Sequence, residues 1–530
     1  MYLAACSGSG SAETATIGVM SAPGVTLAPN PWVPLAASVS LQTTEPTRVA
    51  LRIQDGDRSW VVRDDVWSSS HPRIPVLGAY PGRTCSIDVD IEDRSGKVTR
   101  WPETLTFTTS ELPADFPPIK VTTLRPELMQ SGWTLLHVYT AGRGDWLVAL
   151  DEAGKVCWYL NDSLLPRSGN RPSFLVNVLA NGNFMLIVDR CGLVEVTPLG
   201  DIRSAFWASN VQPCPDPTFY RQVPVDSFHH DVVLMPSDTD ADFATLSTEL
   251  RHYPNYPANV NAPGTTTPLA SVIGDVIVEL RRDGTVVRQT PLLDRLDPYR
   301  MCYDTLSNFW NDFYGVECAD WSHANAIVHD ATKDQWIVSL RHQDAVVRMD
   351  RLSGSIDWIL GNHGGWTQQW LPLLLAPMPG LEWQYHQHAP ELQPDGSLLM
   401  FDNGNNRAMP PTPGTGFFQS WSRAVAFAVD ERHRTVAQTW AYGAPPGTGA
   451  DSFYSFFVGD ANQLANGNVL ICDGGKLEGP PRLNTFGRVV EVTHTENPRI
   501  ALEVVVRDEA ATAPTSYFCY RAFRLPSFRQ

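Results

Sequence analysis

Thirteen histidines occur in this 530-residue chain. Three of them, His230, His323 and His388, fall at one place in three similar stretches, four residues before the last apolar residue of a strand-like run. Imidazole serves as nucleophile, proton donor or metal ligand, so three brought to one point would make a reactive centre. Arg341, followed by His342, closes the strand-like run next to the one that carries His323. Three imidazoles and a guanidinium form a cationic, donor-rich hole suited to a tetrahedral oxyanion such as sulfate or phosphate, with the arginine offering a two-pronged fork. Asn325, two residues after His323, shares its strand face and adds a neutral donor. One such histidine alone reads as a core residue bonded to a carbonyl. Three in register do not.

The elements that must position these residues are short strands. Residues 320–361 hold four runs rich in β-branched and aromatic residues, cut by polar turns, and that spacing predicts one four-stranded propeller blade. The register recurs at Gln387 to Gly396, Gly459 to Gly467, Asn177 to Gly182 and His229 to Pro236, and outer halves recur at Val148, Val194, Val278, Val425 and Val489. With Trp133 to Leu160 as the first copy there are about six units, none able to bury its faces alone. The expected fold is all-β: an N-terminal β-sandwich followed by a six-bladed β-propeller.

The expected domains are a leader and tether over 1–22, a β-sandwich over 23–112, a stiff proline-containing linker over 113–126, and the propeller over 127–530. Long insertions at Ser237 to Ile273, Asp294 to Ala319, Asn362 to Gln387 and Ala408 to Ser420 are rich in Pro, Gly, Asn, Trp and Tyr. Loops of this length are functional or disordered. Three adjoin the aligned histidines and are expected to roof the channel mouth, with Trp310, Trp366, Trp370, Trp383 and Tyr385 lining an aromatic-binding pocket.

A formal charge of −17 argues against nucleic acid and anionic membrane surfaces as partners, and leaves an anionic substrate to be drawn by local cations. None of the nine cysteines forms a CxxC, which argues against a zinc ribbon or a thioredoxin-like site; Cys302 and Cys318, within one insertion, are candidates to pair. Leu3 to Cys6 resembles a bacterial lipobox, and the Ser/Gly run behind it resembles a tether. Lipidation of Cys6 is therefore expected, giving a membrane tether and a periplasmic or cell-envelope location. The sandwich is read as a packing or assembly domain, with a homodimer among the expectations.

His229-His230-Asp231, Ser322-His323-Ala324-Asn325, Ser339-Leu340-Arg341, Gln387-His388-Ala389 and Phe401-Asp402-Asn403-Gly404 leading to Arg407 occur in this order. The set resembles the bacterial aryl sulfotransferases that do not use PAPS, and Tyr520-Arg521-Ala522 resembles that family's closing strand. The resemblance covers the propeller. It implies a ping-pong transfer of a sulfuryl group from an aryl sulfate donor to a phenolic acceptor, with no cofactor. The residue matching His388 attacks the donor and becomes a transient sulfohistidine. Those matching His230, His323 and Arg341 hold the sulfuryl oxygens, and one histidine protonates the leaving phenolate. Asn325 matches a sulfate contact, and His229 and Arg407 fall on motif positions assigned to substrate binding. Some family members have a short-loop disulfide before the nucleophile; Asn362 to Gln387 contains no cysteine.

Two other readings compete. His230, His323 and His388 have the makings of a three-histidine metal site, although Arg341 would repel the ion. A non-catalytic propeller binding partners through its loops gives no reason for the histidine and arginine register. A sulfatase would share the first half of the transfer and use water as acceptor.

Overall fold

The computed structural model describes residues 19–27 (backbone only), 32–140, 144–163, 165–169, 171–262, 264–448, 451–477, 485–509 and 516–526. The expected lipidation site Cys6 lies outside the described residues. The described residues are strands joined by turns and loops, with almost no helix, and they fall into two compact units divided between Leu112 and Pro113.

In the smaller unit, Leu51 and Ile53 are buried between exposed Arg52 and Gln54, the alternation of a strand with one face inward. Ile87, Val89 and Ile91 on the strand Thr84–Glu92 join them, with Val39 and Ile74, in one apolar core. The strands are hydrogen-bonded into one six-stranded sheet, in which the long strand Ala37–Asp55 pairs with three others.

The larger unit contains six sheets of four or five strands that follow one another along the chain. The first strands of five of them are Ser173–Val178, His229–Leu234, Ala324–Asp330, His388–Leu392 and Asp460–Gln463, and each lies beside the next. The remaining sheet is made from distant parts of the sequence: Trp133–Thr140 pairs with both Tyr517–Phe518 and Ala522–Leu525. Residues 113–126 are not all linker, because Ile119–Leu124 is the outermost strand of the sixth sheet, paired with Ile500–Val506. The segment read as an insertion from Ser237 is largely a long hairpin, Phe243–Pro257 against Thr266–Leu280. Its alternation is hard to see in sequence because prolines, asparagines and tyrosines crowd the hairpin's distal end.

Neighbouring first strands are stitched by side-chain amides and carboxylates. Asn177 donates to the carbonyl of Val232 (2.8 Å), Asn325 to that of Gln387 (2.7 Å) and Asn462 to that of Ala522 (3.2 Å). In between, Asp231 accepts from the Ile327 amide (3.1 Å) and Glu391 from the Gln463 amide (2.9 Å). Asn325 and Asp231 are buried and the other three half-buried, and each is held by a partner on the adjacent sheet. Cys302 and Cys318 are free thiols and do not pair.

Candidate active site

A cavity of about 450 Å³ opens where the first strands converge. His230, His323, His388 and Arg341 all line it, so the four residues that the spacing singled out do come together. They do not arrive by strand alternation alone. His230 and His323 have left-handed backbones (φ 60° and 45°), and the ladders of all three strands are interrupted by bulges next to the histidines. A bulge re-aims a side chain, and non-glycine residues hold such angles only where the surroundings fix them.

His388 is buried, and its Nδ1 lies 2.6 Å from Oδ1 of Asn403. Asn403 donates its own amide to the carbonyls of Ser455 (2.7 Å) and Val458 (2.8 Å), which fixes the oxygen toward His388. The ring must therefore carry its proton on Nδ1, and Nε2 keeps its lone pair. Burial, reinforced by the Arg341 charge, holds the His388 pKa well below the usual imidazole value, against the opposing Asn403 bond. The ring is neutral at neutral pH and competent as a nucleophile.

His323 pairs through Nδ1 with Asp320 Oδ2 (2.5 Å) and stacks on His342 at 4.5 Å between ring centroids. Burial pushes Asp320 up to about 7 and, with Arg341, pushes His323 well below its usual range. Both shifts favour uncharged partners, and the two groups share a proton across the 2.5 Å contact. While the pair holds its proton, His323 presents an Nε2–H donor; once the proton has left, it presents a lone pair. That is the behaviour of a general acid and base. His230 Nδ1 lies 2.8 Å from His229 Nδ1, and His229 Nε2 faces Asp275 at 3.3 Å. His229 therefore borders the cavity and also braces His230.

Arg341 is buried and donates Nη2 to the carbonyl of Phe456 (3.0 Å). Its Nη1 faces the Asp304 carboxylate at 3.8 Å. Asp304 is tied in turn to His386 (3.2 Å), whose other nitrogen meets Asp344 (3.0 Å). Burial opposes charge on both members of the Asp304–His386 pair. Asp344 and Asp304 nonetheless raise the His386 pKa, and His386 and Arg341 lower that of Asp304. An alternating row of charges thus leads from Arg341 into the protein.

Two expected ligands lie elsewhere. Asn325 does not line the cavity; its donor is used on the Gln387 carbonyl, and it belongs to the stitching between strands. Arg407 is spent on Asp402 (3.2 Å) and the Trp421 carbonyl (2.7 Å), with its guanidinium 3.7 Å from the Trp421 ring centroid. Of the five roof aromatics only Trp310 reaches the cavity. Trp366 packs against Arg300 and Trp370, Trp383 against His363, and the Tyr385 hydroxyl accepts from Asn362.

Residues not anticipated complete the wall. Phe174, Phe456, Phe457, Phe518 and Tyr520 make it aromatic, and Arg190 adds a second guanidinium. Arg190 follows the strand Phe184–Val188 as Arg341 follows Gln335–Leu340, so the repeat register itself carried the signal. Among the described residues, Asp320, His323 and His342 offer ligand atoms close enough for one metal ion. The 2.5 Å between Asp320 Oδ2 and His323 Nδ1 is a hydrogen-bond distance. Two ligands on one tetrahedral zinc stand roughly 3.4 Å apart. Two guanidiniums on the same cavity also disfavour a cation.

The arrangement can receive an anion at Arg341, attack it from His388 and supply a proton from His323, against a wall suited to an aromatic ring. The family model described as Arylsulfotransferase (ASST) matches residues 120–521. The chain is similar to an arylsulfate sulfotransferase AssT of Escherichia coli O6:H1, 29% identical over 210 residues, with 35% of this chain and 33% of that protein aligned. It is similar to the arylsulfate sulfotransferase AssT of Lelliottia amnigena, 26% identical over 282 residues, with 44% of this chain and 45% of that protein aligned. The chain thus spans less than half the length of the curated relatives it matches. The family match covers about three quarters of the sequence and includes every histidine and arginine of the cavity wall, and this chain belongs to the arylsulfotransferase family.

Proposed function

We propose that this protein moves a sulfuryl group from a phenolic sulfate ester to an acceptor phenol by a ping-pong reaction through a transient sulfohistidine on His388. The observation that carries the reading is the His388–Asn403 bond, which leaves an unprotonated Nε2 in a cavity shared with Arg341 and walled by aromatic rings. In the first half, the Nε2 lone pair attacks sulfur and the sulfur–oxygen bond to the aryl group breaks. The leaving phenolate takes the electron pair and then the proton held by the His323–Asp320 pair. In the second half, an acceptor phenol gives its proton to that pair and attacks sulfur. The nitrogen–sulfur bond breaks and the pair of electrons returns to Nε2.

Charge builds on the phenol oxygen and spreads over the sulfuryl oxygens, so donors already aimed there lower the barrier. Arg341, His230 and His323 are the donors assigned to it. No step calls for a metal or nucleotide.

The six consecutive sheets, with the first completed by the C-terminal strands, are read as the blades of a closed six-bladed β-propeller, and the smaller unit as a β-sandwich. A periplasmic or cell-envelope location, a lipid tether at Cys6 and a homodimer belong to the same proposal; fractionation and sedimentation test them.

The central test is release of phenol from an aryl sulfate with and without an added acceptor phenol. Acceptor-dependent turnover with a sulfated acceptor as product is expected. Turnover that ignores the acceptor would make the protein a sulfatase, and no turnover at all, with no adduct on His388, would remove the proposal.

A further inference from the structure

An unbroken row of aromatic rings leads out of the cavity. Phe457 stands 5.2 Å from Phe518 and 4.6 Å from Phe456, and Phe456 stands 5.4 Å from Phe417, all between ring centroids. Phe456, Phe457 and Phe518 line the cavity, whereas Phe417 and its neighbour Phe418 are 42% and 56% exposed. Phe417 also packs edge-on against Tyr454 at 5.2 Å. A tight loop presents the exposed pair: Gln419 and Ser420 both donate backbone amides to the Gly416 carbonyl, and Thr415 and Ser420 are joined through their hydroxyls. Two adjacent exposed phenylalanines on a braced loop, continuous with a cavity wall, are a surface built for an apolar partner.

The direction of the row is tied to the chemistry. The carbonyl of Phe456 accepts from Arg341 (3.0 Å) and from Asn405 (2.9 Å), and Asn405 also accepts from the Tyr454 hydroxyl (3.1 Å). The residue that starts the outward row is thus clamped by the guanidinium assigned to the sulfuryl group. Phe456 and Phe457 line the same cavity as the histidines, so a ring bound there has this pair in its wall. A second ring attached to it extends toward Phe417.

We infer that Phe417, Phe418, Tyr454 and Phe456 form a second aryl subsite, which selects phenols of two linked or fused rings over single-ring phenols. The inference rests on the transferase reading, so its test has an arm that needs no turnover. The variant is Phe417→Ala/Phe418→Ala, two exposed side chains outside the reacting centre. In the kinetic arm, 4-nitrophenyl sulfate is the donor and 4-phenylphenol and phenol are compared as acceptors. In the binding arm, equilibrium dialysis measures both phenols without donor.

The preference for 4-phenylphenol is expected to fall roughly tenfold in the variant, the loss of two ring contacts. The values for phenol are expected to change by less than about twofold, and Phe417→Trp is expected to retain the preference. An unchanged ratio in the two arms overturns the subsite. So does a variant that keeps the ratio but changes sedimentation or partition onto vesicles, which would make the pair a protein or membrane contact. If the wild-type protein turns over no aryl sulfate, the transferase reading fails, and the dialysis ratio alone still decides the subsite.

Discussion

Asn403 holds His388 at 2.6 Å through an oxygen that cannot turn away, because both hydrogens of the Asn403 amide are engaged by main-chain carbonyls. The tautomer of His388 is therefore set by the backbone of residues 455–458, one sheet away. Substituting Asn403 by Leu should lower kcat by roughly a hundredfold, within the span of a general-base contribution, while KM for the donor changes little. Asn403→Asp should keep the tautomer and stabilise imidazolium, moving the acidic limb of kcat/KM to higher pH. A wild-type rate in Asn403→Leu would detach this bond from the reaction.

His388 should carry the group in transit. Rapid quench after mixing with an aryl sulfate alone, followed by intact mass and peptide mapping, should find one sulfuryl adduct, on His388. An adduct on His230 or His323 would reassign the nucleophile.

Arg341 should contribute more than charge. Arg341→Lys removes the fork and should reduce kcat by roughly 10²- to 10³-fold, the usual loss for one oxyanion donor. In Arg341→Ala the cation that helps depress His388 is gone, so its pKa rises and the acidic limb moves to higher pH. Burial is the larger cause and remains, so the limb should stay below the usual imidazole value of about 6.5. A near-normal kcat in the lysine variant is the outcome that takes Arg341 out of the site.

The leaving-group dependence should expose the His323–Asp320 pair. Asp320→Asn weakens the hold on the proton, and the loss should be greatest with poor leaving groups, roughly 10²-fold or more, and small with 4-nitrophenyl sulfate. Equal losses across a phenol series would assign Asp320 a role in packing only.

Chelator-dialysed protein should keep its activity, and metal analysis should find less than stoichiometric zinc. Activity that disappears and returns with zinc would restore the metal reading made for His230, His323 and His388, or place the ion at Asp320, His323 and His342.

The candidate site was legible in the sequence where it repeats. His230, His323 and His388 stand at like places in like strands, Arg341 closes the strand beside that of His323, and the cavity collects all four. What repeats cannot reveal is what a residue does when two repeats meet. Asn325 reads as a free donor because strand alternation says which face it takes and not that the Gln387 carbonyl waits there. Arg407 was misplaced for a different reason: Asp402 and Trp421, at the two ends of its own loop, claim it locally. The aromatic wall was missed because Phe174, Phe456 and Phe518 come from three separate sheets and loops, and no spacing links them. The strand Ile119–Leu124 was hidden because its partner, Ile500–Val506, lies at the far end of the sequence.

The strand Ala522–Leu525 completes a sheet begun by Trp133–Thr140. Beside it, Arg521 bonds Asp231 (2.9 Å) and the Val176 carbonyl (2.6 Å), and the Tyr520 hydroxyl bonds the carbonyl of His230 (2.8 Å). A ribosome making this protein releases His230, His323, Arg341 and His388 long before these anchors emerge. During that interval Asp231 is without its arginine and the first sheet has an open edge, the kind of edge that invites association with other nascent chains. A product cut short before residue 520 would hold His230, His323, Arg341 and His388 and still lack the two bonds that tie down His230 and its neighbour Asp231.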